Sequence, residues 1–165
     1  MQTFLPFSDF TNTAMTLDLK RLNSQVNEGL VITSAALSLK RNGEEYELNT
    51  GKIAWANHPA TKMWKGHVNS LIYYTVICLS HFRLRTFKSD DIENDTRYNR
   101  LLKLNDKCWE FGLYNSSLPV WIGDEDFHRS HQSNLIRKDP EYYSRFFPDI
   151  PADLPYVWPK SETVE

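Results

Sequence analysis

The chain has 165 residues, 41% of them hydrophobic and 24% charged, with a formal net charge of −2. That length and composition suit one globular domain around a single core and exclude a disordered chain. The small net charge argues against indiscriminate nucleic-acid binding. It leaves room for a local basic face, because phosphate contacts respond to the field of a patch rather than to the total.

Residues 1–10 are apolar and aromatic with Pro6 as a breaker, which predicts an N-terminus tied into the body. A short helical turn from Ser8 or Asp9 to Met15 follows. Asp18 is a good N-cap for a long amphipathic helix reaching about Ser38. Leu19, Leu22 and Val26 recur at helical spacing and predict its buried stripe. Arg21, Gln25 and Glu28 stand at i, i+4 and i+7 and line a second face. A cation, an amide and a carboxylate in one row suit a site that handles a phosphate and a reacting sugar; the alternative is a solvated helix face. Gly29 weakens the helix but lets another segment approach closely.

Residues 40–57 are polar, and Tyr46-Glu47-Leu48 predicts an extended or hairpin-like piece. Asn57-His58-Pro59 signals a helix start, with Asn57 as N-cap. A helical pattern runs on through Met63, Trp64, Val68, Leu71, Tyr74, Cys78 and Phe82, with a kink or break at Gly66. Tyr98 to Leu113 carries the next helix. Asp124 caps a helix from Glu125 to Lys138, and Pro140 restarts a short one, Glu141 to Phe147. Residues 148–159 are Pro-rich and predict an extended strap with its aromatics packed down.

The class is therefore all-α: a compact single domain over residues 1–159, a bundle of about three long helices plus short ones, with a frayed tail at 160–165. Cys78 and Cys108 lie in predicted helices without CxxC spacing. They read as buried thiols of a reducing compartment, which points to the cytoplasm. No basic residue precedes Lys20, against a signal peptide, and the apolar run Leu71 to Leu79 is too short to span a bilayer.

A second polar stretch begins the Glu125 helix. His128 and His131 share a helix face, and Asp124 lies one turn earlier; three metal ligands are one reading. Position favours another. The free N–H groups and dipole of a helix start attract an anion, and Arg129, Ser130, His131 and Gln132, extended by Arg137 and Lys138, make a phosphate-holding surface. Tyr142, Tyr143, Phe146 and Phe147 follow, either as stacking partners for unstacked bases or simply as core. His58 and His67 are further candidates, each with a structural alternative.

These blocks resemble the pyrimidine-dimer DNA glycosylase (phage endonuclease V) family, and more closely its bacterial relatives. The resemblance rests on residues 1–7, Leu17 through Glu28, Gly66-His67-Val68, His128 through Pro140 and the aromatics that follow. For the bacterial relatives it also rests on Asn57-His58-Pro59, Met63-Trp64, Gly123-Asp124 and Leu154 through Pro159. It implies an all-α protein, monomeric, that binds double-stranded DNA and needs no metal, small-molecule cofactor or membrane.

The implied activity is removal of a damaged or modified base coupled to abasic-site cleavage. An N-terminal amine attacks C1′, a protonated imine forms, and β-elimination nicks the strand. Met1 would supply the amine, since Gln2 is large for methionine removal, and Glu28 matches the catalytic carboxylate. Lys20, Arg21, Gln25, His67, His128, Arg129, Ser130, His131, Gln132, Arg137, Lys138, Tyr142 and Tyr143 would hold DNA. Asn27 stands where the characterised enzyme has arginine, which leaves the lesion open. The alternative function is a non-catalytic nucleic-acid-binding module of the same fold.

Overall fold

The structure is a computed structural model and describes residues 2–159; the expectations for Met1 and the 160–165 tail lie outside them. Seven helices and one hairpin are found there: α1 (Phe10–Thr16), α2 (Leu19–Ala36), β1 (Leu39–Asn42), β2 (Glu45–Leu48), α3 (Pro59–Trp64), α4 (Val68–Phe87), α5 (Thr96–Glu110), α6 (Glu125–Lys138) and α7 (Pro140–Tyr143). The domain is mainly helical, as expected. No helix among the described residues is long and apolar enough to cross a membrane.

Local chemistry sets the boundaries. Asp9, Asp18, Asp95, Asp124 and Asp139 each cap a helix by accepting a backbone N–H from its first turn. The cap of α3 is His58, not Asn57: its Nδ1 accepts the Ala60 N–H, with Pro59 in the first turn. The ring nitrogen does the work of the expected amide one residue later. Gly66, at φ +89°, separates α3 from α4, since the left-handed region is cheap only for glycine. The hairpin pairs Leu39 with Leu48 and Asn42 with Glu45.

The centre of the domain is α2 against α4. Gly29 makes the approach possible: a Cβ there would overlap Thr75 Oγ1 and lie 2.8 Å from Thr75 Cγ2. Leu22 and Val26 are fully buried, but Leu19 is 41% exposed and is not part of the stripe; as the first helical residue it lies at the edge of the core. One core cluster joins Leu5, Leu22, Val26, Trp64, Tyr74, Phe127 and Leu135. A second joins the end of α2 to the hairpin and α5 through Leu30, Leu39, Tyr46, Leu101 and Cys108. Both cysteines are free and buried.

Candidate active site

Residues 2–5 lie outside any helix or strand and are held against Gln25 and Glu28 of α2, whereas Arg21 of the same row turns to Asp18 and Tyr143 instead. Such backbone buried against a helix leaves its polar groups without a ladder, so side chains must satisfy them. The Gln2 N–H donates to the Glu28 carboxylate. Gln25, fully buried, donates from Nε2 to the Gln2 carbonyl at 3.1 Å and accepts the Phe4 N–H on Oε1 at 2.7 Å. The Tyr74 hydroxyl lies 2.8 Å from both the Phe4 carbonyl and Gln25 Oε1, which share its one proton. Trp64 donates from its indole to Thr3 Oγ1 at 3.0 Å. The amide and carboxylate thus fix the N-terminal segment rather than facing water. Glu28 keeps part of its surface open, and the Gln2 side chain is turned to the Tyr156 hydroxyl.

Helix α6 grips the same segment from the other side. The Leu5 N–H donates to His131 Nδ1 at 3.0 Å, and the Leu5 carbonyl lies 2.8 Å from His128 Nδ1. Gly123 N–H donates to His128 Nε2, so His128 carries its proton on Nδ1 and donates it to Leu5. His131 has the opposite tautomer, with Nε2 at 2.9 Å from the Tyr156 hydroxyl. Burial, and secondarily His128, pushes the His131 pKa down to about 3, so the ring is neutral. Gln132 donates to the Pro6 carbonyl at 2.7 Å. Ser130 and Ser133 accept N–H groups of the strap from Val157 and Leu154.

Several residues expected to meet phosphate therefore point inward. His131 is fully buried, Ser130 is 1% exposed, and His128 and His67 are nearly so. Asp124 is spent on its cap, and both histidine rings on Leu5, so the three-ligand reading of Asp124, His128 and His131 has no arrangement to support it. His67 lies against the Ser117 carbonyl. Tyr143 is buried, donating to Asp18 at 2.5 Å. Burial alone would raise the Asp18 carboxyl; hydrogen bonds from Tyr143 and Arg21 outweigh it and hold it low. Arg21 pairs with Asp18 at 2.6 Å and lies over the Tyr143 ring.

Lys20, Arg137 and Lys138 are exposed, with Arg129, Gln132 and Tyr142 half-buried. Arg129 and Gln132 line an open cavity of about 420 Å³ with Pro6, Phe7 and Ser8. Lys138 lies over the Phe4 ring. The outward side of α6 is thus mixed, acidic in its first turn at Glu125, which lines the same cavity, and Asp126, and basic in its last turn at Arg137 and Lys138.

A family model described as pyrimidine dimer DNA glycosylase matches residues 1–94. The chain belongs to that family. Membership assigns it to DNA repair and to glycosylase chemistry in general. Neither the curated proteins nor the solved structures give a match.

The family match covers α1 to α4, including Glu28 and the residues that hold the N-terminal segment from α2 and α4. The α6 grip and the strap lie beyond it. A chain of aromatic rings centred on His58 is a further feature that the sequence only partly signals. The Trp55 and His58 rings are 5.2 Å apart, His58 and Trp158 6.1 Å, and Trp158 and Tyr156 4.6 Å. Burial lowers the His58 pKa while the Glu28 carboxylate pulls it up, so ring and carboxylate share a field. Trp55 carried no motif; its only signal was a large aromatic in a polar loop.

Proposed function

We propose that this family member is a DNA glycosylase with abasic-site lyase activity, working through an imine on the N-terminal amine with Glu28 beside it. The observation that carries the reading is the hydrogen bond from the Gln2 backbone nitrogen to the Glu28 carboxylate. That nitrogen becomes the α-amine once the preceding residue is removed, and the Met1 amine lies one residue upstream of it. An α-amine, with a pKa near 8, keeps a useful neutral fraction at pH 7 and can attack C1′ as the glycosidic bond breaks and the base leaves, after which the C1′–O4′ bond opens to give the imine. Glu28 takes the proton that nitrogen loses, offsets the charge of the protonated imine, and assists removal of the C2′ proton as the 3′-phosphate leaves. Gln25, Tyr74, His128 and His131 act earlier, by fixing the segment that carries the amine. Lys20, Arg129, Gln132, Arg137, Lys138 and Tyr142 supply the outward DNA contacts.

Borohydride trapping on duplex DNA with an abasic site tests this. The wild type should form a covalent adduct, and peptide mapping should find it on the terminal amine of Met1 or Gln2. Glu28→Gln should lower the trapping rate by about 100-fold or more. No adduct from the wild type, or an unchanged rate in Glu28→Gln, overturns the mechanism. Absence of an adduct with intact duplex binding would leave a binding module of the same fold.

A further inference from the structure

A groove of about 350 Å³ runs between α2, the hairpin and the 49–55 loop. Four cations line it, Lys40, Arg41, Lys52 and Arg100, and no carboxylate does. The hairpin acids reach two of these from outside, Glu47 to Lys40 at 4.0 Å and Glu44 to Arg41 at 3.4 Å. Both pairs are solvent-exposed and hold their cations weakly. The groove therefore presents a positive field on a chain that is net negative.

At one end stands Trp55. Its φ of +70° lies in the left-handed region that a bulky residue occupies at a cost. Its ring nevertheless stays 47% exposed, so the core gains little from keeping tryptophan in a place suited to glycine. The same ring touches His58, which shares the field of Glu28. Val31, one turn past Glu28 on α2, lines the groove as well. The groove and the candidate carboxylate are thus neighbours along one helix face, joined by Trp55.

We propose that this groove is a strand-binding subsite: its cations hold the phosphodiester backbone next to the reacting nucleotide, and the exposed face of Trp55 stacks on an unpaired base. It rests on the DNA reading of the Glu28 site. A positively charged channel with an aromatic platform is the arrangement that holds a strand without reading its sequence.

Binding alone tests it, with a fluorescent duplex carrying a tetrahydrofuran abasic analogue, which cannot form an imine. Trp55→Gly relieves the backbone strain, so it should leave the melting temperature unchanged or raised while weakening binding by about tenfold or more. Trp55→Phe should retain most of the affinity. Replacing Lys40 and Lys52 together by alanine should reduce the slope of log affinity against log salt by about 2. Wild-type affinity in Trp55→Gly together with a wild-type salt slope in the lysine variant overturns the subsite, even if trapping proceeds normally. Groove-dependent binding without any trapped adduct sustains the subsite and overturns the imine mechanism instead.

Discussion

Gln25 is the residue on which the N-terminal segment turns. Its amide pairs with Gln2 and Phe4 much as a neighbouring strand would, with one donor and one acceptor spent on alternate residues. Gln25→Ala leaves the Phe4 N–H and the Gln2 carbonyl without partners, at a cost of about 2–4 kcal/mol. Urea unfolding should show that loss, and the trapping rate of the protein still folded should fall as well, because the segment over Glu28 is freed. The row Arg21, Gln25, Glu28 was legible from helical spacing. Its partner was not: the N-terminal segment lies 21–26 positions away, beyond any helical or strand period, and no local pattern records which surface a polar row faces. The same gap misdirected the reading of His128 and His131. Two histidines and a serine at a helix start resemble an anion site, and only their buried partners reveal that they bind backbone.

At the scale of elements, the contact between α2 and α4 is governed by the single missing side chain at Gly29. Gly29→Ala would gain up to about 1 kcal/mol of helix propensity. Overlap with Thr75, whose Oγ1 is itself held by the Leu71 carbonyl at 2.7 Å, forces the helices apart and costs more, about 1–3 kcal/mol. Net destabilisation should appear as a lowered melting temperature, and a variant as stable as wild type would contradict the close packing. The elements themselves were largely readable, because aspartate caps, Pro59 and Gly66 act within a few residues of where they stand. The exception was the α3 cap, where histidine took a role that asparagine fills more often.

For the whole molecule, pH is the sharpest probe. His131 is neutral and buried, with a pKa of about 3 against an ordinary 6.5. Protonation therefore favours the unfolded chain. Its contribution is complete above pH 6.5 and is lost as pH falls towards 3, by about 1.4 kcal/mol per unit. The groups facing it are His128 and Tyr156, and the tyrosine stays neutral throughout, since burial pushes its pKa up. Asp95, held at about 2 chiefly by Arg97, adds acid sensitivity only below about 3.8. Urea unfolding between pH 7 and 4.5 should show at least this slope, since burial also lowers the His58 and His81 pKa values, and His131→Leu should reduce it.

The grip of α6 on Leu5 spans 126 positions of chain. At a synthesis rate of about 5–20 residues per second, the ribosome needs roughly 6–25 s to supply the far partner. Throughout that interval the segment over Glu28 lacks half of its hold, whatever the packing of α2 and α4. An unfinished copy therefore holds this segment from α2, α3 and α4 alone, through Gln25, Trp64 and Tyr74.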